Sequence, residues 1–242
     1  MKILVTNDDG IGAPGIRILA EWAKKFGEVT VVAPKTQRSA ESHHVNIHSS
    51  FECGEIDFLP GVRAWYVDSS PADCIRVADA GLKIEADLVF SGINDGLNVG
   101  WDIVYSATCG AAFEANYSGW KAIAFSTFFG GFRNIEKKLD DAYDFIHGHH
   151  LLDYTDLLNV NFADGDKGIR LTRQANAPYY RDWFREEAGG HLMAMGYSAY
   201  KGSRNLDVDL DAVMNGYTSI SPLTVSRTDE KAYRKIQKLL QP

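Results

Sequence analysis

The chain has 242 residues, of which 45% are hydrophobic and 24% charged, a balance typical of globular proteins and sufficient for a full hydrophobic core. A formal net charge of −7 argues against a duplex nucleic-acid partner, which requires clustered Lys and Arg. Three widely spaced cysteines argue against a disulfide framework or a cysteine zinc site, and no signal peptide or transmembrane-length segment is recognisable, so we expect a cytoplasmic protein with no membrane partner.

Apolar segments alternate with helical patterns through the first two thirds of the chain. Residues 2–5 and 28–34 predict two buried strands, and the helix between them begins at Pro14 and ends at Gly27. Two strands joined through a helix form a βαβ unit, which implies a parallel sheet with a right-handed crossover. Further strands are predicted at 62–68, 86–94, 121–127 and 156–162, and further helices at 70–82, from 108 onward and at 134–152.

The pattern changes after Gly165. The segments beyond it indicate strands or a hairpin, one further strand and a charged helix, at 168–173 and 191–200, at 218–225, and at 229–240 respectively. We therefore predict an α/β protein with a wound, mostly parallel sheet and a C-terminal β-hairpin and helix extension. Residues 1–165 would form the core, and residues 166–242 would complete it and supply an oligomerisation arm.

The N-terminal segment MKILVTNDDGIGAPG contains Gly10-x-Gly12-x-x-Gly15, the pattern of a dinucleotide-binding turn. An NADP-dependent oxidoreductase that uses these glycines is therefore one candidate. Such a fold normally has an acidic residue at the end of its second strand to bind the ribose, whereas this chain has Ala-Pro-Lys there. Asp8 and Asp9 would also repel an approaching pyrophosphate. We consider this interpretation the weaker one.

Polar residues follow three of the predicted strands. Asp8 and Asp9 follow the first strand, Ser39 follows the second, and Asn94 ends the strand at 86–94. Because the carboxyl ends of parallel strands meet at one edge of a sheet, we expect these side chains to converge there. Two carboxylates, a hydroxyl and an amide form an all-oxygen ligand set, which favours Mg²⁺ or Mn²⁺. Each residue alone is also consistent with an ordinary turn or loop, so only their joint placement supports a metal site.

Seven segments between residue 3 and about residue 223 match, in the same order along the chain, the motifs of one known family. They read ILVTNDDGIGAPGI, VVAPKTQRSAESH, VDSSPADCIR, DLVFSGINDGLNVG, VYSATCGAAFEA, LLNVNF and GYTSISPL. Together they resemble the SurE family of stationary-phase survival proteins, which are metal-dependent nucleoside-monophosphate phosphatases.

The resemblance implies a Rossmann-like catalytic core, a divalent cation, and hydrolysis of nucleoside 5′- and 3′-monophosphates to nucleoside and phosphate. It also implies a homodimer or homotetramer built partly through an exchanged C-terminal arm. The metal ligands that it carries onto this sequence are Asp8, Asp9, Ser39 and Asn94.

Our mechanistic hypothesis is in-line attack of water on the phosphoryl group of the substrate. Asp8 and Asp9 are the candidate catalytic residues, and Asp8 is the better candidate to accept the proton of the water. The residues expected to bind the substrate are Asn98, Ser106, Thr108, Gly92 and Arg38. A covalent route with an aspartate nucleophile is the rival mechanism.

Several positions depart from the family pattern, among them Gly12, where a larger residue is common, and Ser69-Ser70, where the family usually has Gly-Thr. Ala40 and Ala107 stand where the family usually has glycine, and an added Cβ narrows a phosphate pocket or disfavours a positive φ. Asp95 adds a negative charge beside the expected metal site. These departures leave a non-catalytic nucleotide-binding module as a further alternative.

Overall fold

The computed structural model describes residues 1–240, and within that range the regular structure consists of eleven strands, six α-helices and three short π- or 3-10-helical turns. The strands are β1 (Lys2–Thr6), β2 (Glu28–Pro34), β3 (Cys53–Leu59), β4 (Val62–Val67), β5 (Leu88–Asp95), β6 (Lys121–Thr127), β7 (Leu157–Asn161), β8 (Ile169–Leu171), β9 (Tyr180–Glu187), β10 (His191–Ser198) and β11 (Thr218–Pro222). The helices are α1 (Pro14–Ala23), α2 (Pro71–Arg76), α3 (Ala107–Tyr117), α4 (Ile135–Gly148), α5 (Asp209–Met214) and α6 (Glu230–Leu240).

Nine of these strands form one mixed sheet in the order β3-β4-β2-β1-β5-β6-β7-β11-β8. The strands from β4 to β7 pair in parallel throughout. At the two ends, β3 and β11 run antiparallel to β4 and β7, and β8 pairs in parallel with β11. The predicted α/β class and the wound, mostly parallel sheet are confirmed.

Helices cover the central strands on both faces. Successive residues of a strand point to opposite faces, and the neighbours Leu4 and Val5 accordingly belong to two different hydrophobic clusters. The cluster around Val5 includes Leu19 of α1 and Leu139 of α4, and the cluster around Leu4 includes Ile75 of α2 and residues of α3. Burial on both faces explains why these strands read as continuous apolar runs in the sequence.

The strand order reverses direction at β1, which has β2 on one side and β5 on the other. The connection through α1 leads to β2, whereas β5 leads away through β6 and β7. In open parallel sheets, ligands bind beyond the carboxyl ends of the strands at such a reversal. The loops after β1 and β5 therefore border the favoured binding place of this fold.

The C-terminal part differs in detail from the sequence-based expectation. The segment at 168–173 contributes β8 to the main sheet, and β10 forms a separate hairpin with β9. The sequence analysis did not predict β9, because its residues YRDWFREE are all exposed and show no alternation of apolar and polar residues. It also missed β3 at the sheet edge and the short helix α5.

Three predicted helices are shorter than their sequence patterns. The first of them, α1, ends at Ala23 rather than at Gly27. The helix expected at 70–82 divides into α2 and one π-helical turn, Val77–Gly81. The helix expected at 134–152 ends at Gly148 and is followed by a 3-10 turn, Leu151–Asp153. Among residues 1–240, no helix combines the length and the apolar character that crossing a bilayer requires.

Candidate active site

Asp8 and Asp9 lie in the turn after β1, and hydrogen bonds join them to three other segments. The Thr108 hydroxyl in the first turn of α3 donates to Asp8 Oδ1 at 2.6 Å. The Arg38 amide after β2 donates to the Asp8 carbonyl oxygen at 2.7 Å, and the Asp95 amide at the end of β5 donates to Asp9 Oδ2 at 3.1 Å. One sheet edge therefore gathers segments that are far apart in the sequence.

Ser39 and Asn94 lie at the same edge. Gln37 Nε2 donates to Ser39 Oγ at 3.0 Å and to Asp9 Oδ1 at 3.4 Å, so the hydroxyl and the carboxylate share one donor. Asn94 Nδ2 donates to the Gly96 carbonyl oxygen at 2.7 Å. The side-chain oxygen of Asn94 is therefore the atom that could coordinate a metal. The structure brings the four predicted metal ligands into one region.

Ionisation of the Asp8 and Asp9 carboxyl groups is unfavourable in the metal-free protein. Asp8 is 4% exposed, and burial raises its pKa to about 7, although the hydrogen bond from Thr108 opposes the rise. Burial also raises the pKa of Asp9, and the amide of Asp95 opposes it. The charged groups that act on Asp8 and Asp9 are themselves carboxylates, Asp9 and Asp95 respectively. A cation placed among them would relieve both repulsion and desolvation.

The residues at this edge fit a hard divalent cation. The Asn7 amide donates through Nδ2 to the Gly10 carbonyl oxygen at 2.9 Å, but its buried Oδ1 has no hydrogen-bond partner. All candidate ligand atoms are oxygens, which suits Mg²⁺ or Mn²⁺. No group of three or more His, Cys, Asp or Glu side chains able to hold a metal occurs in residues 1–240. The predicted set instead combines two carboxylates with a hydroxyl and an amide.

The start of α3 is the predicted place for a phosphate group. Ser106 is the N-cap of α3, and its Oγ accepts a hydrogen bond from the Cys109 amide at 3.0 Å. The Thr108 hydroxyl is already bonded to Asp8, so Thr108 supports the carboxylate directly. The first-turn amides of a helix lack intrahelical partners and attract anions. In this turn the Cys109 amide is bonded to Ser106 Oγ and the Thr108 amide acts on the Asp8 carboxylate, so the Ala107 amide is the group left for phosphate oxygens.

Asn98 is held in a buried polar network that the sequence analysis did not predict. Its side-chain Nδ2 donates to Ser126 Oγ at 2.8 Å, and its backbone amide donates to Asn161 Oδ1 at 2.8 Å. The side-chain amides of Asn159 and Asn161 in β7 donate to the Asn98 carbonyl oxygen at 2.8 and 3.0 Å. The feature of the sequence that could have indicated this network is the pair Asn159 and Asn161, two residues apart in the otherwise apolar strand β7. The network fixes the loop after β5 against β6 and β7.

Arg38 and Gly92 occupy supporting positions at the site. The Arg38 guanidinium lies 2.7 Å from Asp68 Oδ1 and 3.6 Å from Glu41 Oε1, so it is paired within the protein. Gly92 is buried with φ of +135°, and a Cβ there would collide with the Phe125 carbonyl oxygen in β6. Gly92 therefore allows β5 and β6 to approach, and only its backbone can reach a substrate.

Comparison with known proteins identifies the family. The family model "Survival protein SurE" matches residues 3–181. This chain belongs to the SurE family. A protein named 5′-nucleotidase SurE from Clostridium beijerinckii is 36% identical over 264 residues and covers 100% of both chains. A protein of the same name from Gemmatimonas aurantiaca is 37% identical over 242 residues, covering 94% of each chain. The crystal structure of SurE from Aquifex aeolicus superimposes with a TM-score of 0.82 at 32% identity and full coverage of both chains.

The departures from the SurE pattern have different local consequences. Ala40 adopts a φ of +61°, so it occupies a left-handed conformation that glycine would adopt without strain. Ala107 is the first residue of α3, where alanine favours the helix. The side chain of Asp95 accepts a hydrogen bond from the Gly130 amide at 2.6 Å. Its charge is therefore partly engaged by the loop after β6.

The glycine pattern of this SurE chain has a structural explanation. Gly10 has φ of +95°, and a Cβ there would lie 3.1 Å from the Thr36 carbonyl carbon. A Cβ at Gly15 would collide with the Ile93 carbonyl oxygen, whereas a Cβ at Gly12 would meet nothing within 4 Å. Two glycines thus serve the packing of the turn and of α1. The NADP-dependent alternative is not favoured.

Alanine substitutions at Gly15 and Gly12 test this explanation. We expect G15A to destabilise the protein by about 1–3 kcal/mol, because a backbone oxygen must move to accept the new methyl group. G12A is the matched control and should leave the melting temperature within about 1 °C of the wild type, since the position is open. Thermal denaturation of both variants provides the measurement. Equal melting temperatures for the two variants would contradict the packing role of Gly15.

Proposed function

We propose that this chain is a metal-dependent nucleotidase that hydrolyses nucleoside 5′-monophosphates, and also 3′-monophosphates, to nucleoside and phosphate. The observation that carries the proposal is the pair of adjacent carboxyl groups, Asp8 and Asp9, at the reversal of strand order, where Asp8 is buried and the neighbouring charges that raise both pKa values are those of other carboxylates. The relatives named 5′-nucleotidase support the same activity over nearly the full length of the chain.

We propose that Asp8, Asp9, Ser39 and Asn94 hold the cation, with Mg²⁺ and Mn²⁺ as the candidates. Their oxygens match the preference of both ions, and Gln37 already holds the Ser39 hydroxyl beside the Asp9 carboxylate. When bound, such an ion polarises a phosphoryl oxygen and lowers the pKa of water.

The protein groups then have separable tasks. The Asp8 carboxylate, which a bound cation would keep ionised, is the group that we propose accepts a proton from the attacking water. The hydroxyl of Thr108 fixes the orientation of that carboxyl group. The Ala107 amide and the positive end of the α3 dipole attract the phosphoryl oxygens, because negative charge is favoured at a helix N-terminus. Direct attack by water requires no covalent intermediate, and trapping of a phosphorylated Asp8 or Asp9 would support the rival route.

Release of phosphate from AMP tests the proposed function. The purified protein is incubated with AMP and Mn²⁺, Mg²⁺ or EDTA, and free phosphate is measured. We expect metal-dependent release that EDTA reduces by at least about 100-fold, because charge stabilisation at the phosphoryl group is lost. Binding of AMP without phosphate release under any metal would instead identify a nucleotide-binding module and contradict the proposal.

We also propose that residues 166–242 supply an oligomerisation arm. The β9–β10 hairpin stands outside the main sheet and exposes large side chains, including Trp183, Phe184 and Leu192, which are 51%, 59% and 63% exposed. An isolated two-stranded hairpin is marginally stable in water, so a second copy of the chain is its natural cover. Light scattering should give the mass of two or four chains, and the mass of one chain would contradict the proposal.

A further inference from the structure

Hydrogen bonds define the turn directly after β6. The Gly131 amide donates to the Phe128 carbonyl oxygen at 2.7 Å, and Gly130 has φ of +70°, as type II turns require at their third position. The Thr127 hydroxyl donates to the Gly131 carbonyl oxygen at 3.0 Å. Phe129 therefore lies at the apex of a defined turn.

Asp95 connects this turn to the candidate metal site. Its Oδ1 accepts a hydrogen bond from the Gly130 amide at 2.6 Å, and its own amide donates to Asp9 Oδ2 at 3.1 Å. The register of the sheet agrees, because Asp95 at the end of β5 pairs with Thr127 at the end of β6. A single residue thus separates the turn from a predicted metal ligand.

Phe129 is 88% exposed. A single exposed phenylalanine on a surface is ordinary, but this one is on a turn that hydrogen bonds hold beside the candidate site. Two more exposed aromatic residues, Trp101 and Tyr105, follow β5 at the same edge of the sheet. The carboxyl edge therefore carries exposed aromatic side chains as well as carboxylates. A nucleotide presents the matching combination of a charged phosphate and an aromatic base.

We propose that Phe129 is the surface on which the base of the nucleotide substrate stacks, and that Asp95 is its positioning residue. The inference rests on the proposed nucleotidase function and adds the part of the site that recognises the base. Every base has a π-face, so stacking on Phe129 favours nucleotides over phosphomonoesters without a ring and is tolerant of base identity. The Asp95 side chain then holds the turn in place.

The first test compares AMP with ribose 5-phosphate, which has the same sugar and phosphate but no base. We expect F129A to raise the KM for AMP about 5- to 150-fold, the range found when a stacking aromatic is removed. The KM for ribose 5-phosphate and both kcat values should stay within about twofold, since the phosphate site is untouched. F129W should retain the wild-type KM for AMP. Equal changes for both substrates, or no change for either, would overturn the proposal.

Tyr154 provides the matched control for an exposed aromatic residue. It is 87% exposed and precedes β7, so it lies at the opposite edge of the sheet. Y154A should leave the KM for both substrates unchanged. Light scattering of F129A should give the wild-type mass. A lower mass would show that Phe129 covers an interface between copies and would overturn the stacking role.

Two substitutions at Asp95 separate the hydrogen bond from the charge. D95A removes the acceptor for the Gly130 amide and should raise the KM for AMP selectively, as F129A does. D95N removes the charge, keeps an acceptor oxygen, and should restore most of the affinity. If D95N behaves like D95A, charge near the site explains the effect and the positioning role is wrong.

Adenosine binding distinguishes a failure of this inference from a failure of the proposed function. Calorimetry in EDTA measures binding of adenosine, which needs neither the cation nor hydrolysis. We expect F129A to weaken adenosine binding by about 5- to 150-fold and F129W to retain it. If the protein releases no phosphate but F129A weakens its binding of adenosine, only the nucleotidase proposal is contradicted. If F129A binds adenosine with the wild-type affinity, the stacking proposal is contradicted.

Discussion

Replacement of Asp8 by asparagine is expected to lower phosphate release from AMP by a factor of about 10³ and, at the same time, to stabilise the metal-free protein. The loss of activity follows because the substitution removes a cation ligand and the proton acceptor together. Asparagine retains an oxygen that can accept the hydrogen bond from Thr108. The local geometry should therefore survive, and the lost rate would reflect the carboxylate itself.

The gain in stability follows from the raised pKa of Asp8. Its folded-state pKa is about 7, against an ordinary value of 3.8, so the folded state binds a proton more tightly than the unfolded state. The stabilising contribution of the protonated carboxyl group is present below about pH 4 and is lost as the pH rises through about 7. At pH 8 in EDTA, D8N should therefore be more stable than the wild type by about 4 kcal/mol, or ~8–16 °C in melting temperature.

The pH and the metal supply the controls for this prediction. At pH 5 in EDTA the difference between D8N and the wild type should shrink, since Asp8 is then protonated in the folded protein. Excess Mn²⁺ at pH 8 should stabilise the wild type and leave D8N unchanged. D166N, at an exposed carboxylate, should match the wild type throughout. A D8N protein less stable than the wild type in EDTA at pH 8 would contradict the electrostatic description of the site.

The second large effect is expected at Asp209, which is fully buried at the start of α5. Its carboxylate accepts hydrogen bonds from the amides of Gly100 at 3.0 Å, Ala175 at 2.8 Å and Leu210 at 2.6 Å. One side chain thus joins the loop after β5 to the C-terminal extension. Asp102 in that loop reinforces the connection by accepting from the first amide of β9 at 2.7 Å.

D209A should destabilise the protein by about 3 kcal/mol, because three buried amides lose their acceptor at once. The melting temperature should fall by about 6–12 °C. The KM for AMP should also rise, since the loop that loses its anchor leads to Ser106 and the start of α3. D207A is the matched control, because the Asp207 side chain is exposed and forms a surface ion pair with Arg173 at 3.6 Å. A surface ion pair contributes little to stability, so D207A should change the melting temperature by less than about 1 °C. A D209A protein that melts with the wild type would show that the connection is unimportant.

The sequence predicts the candidate metal ligands because their placement follows from topology alone. Alternation of strands and helices implies a parallel sheet, and a parallel sheet brings the carboxyl ends of its strands together. Asp8, Asp9, Ser39 and Asn94 each follow or end a buried apolar strand, so their convergence needs no knowledge of side-chain contacts. The same reasoning explains why the central strands were located and why the fold class was correct.

The supporting interactions could not be predicted in this way. The hydrogen bond from Gly130 to Asp95 depends on the conformation of a turn, and the network around Asn98 depends on the register between β6 and β7. Neither feature leaves a periodic signal in the sequence. The strand β9 was missed for a related reason, since no face of it is buried in the single chain and hydrophobic periodicity reports burial.

Anomalous diffraction at the manganese edge, on crystals grown with excess Mn²⁺, tests the central claim most directly. We predict a single peak at the carboxyl edge of the sheet, with oxygens of Asp8, Asp9, Ser39 and Asn94 as its protein ligands. A crystal saturated with Mn²⁺ that shows no peak among these residues, or a peak that contacts neither carboxylate, would contradict the account.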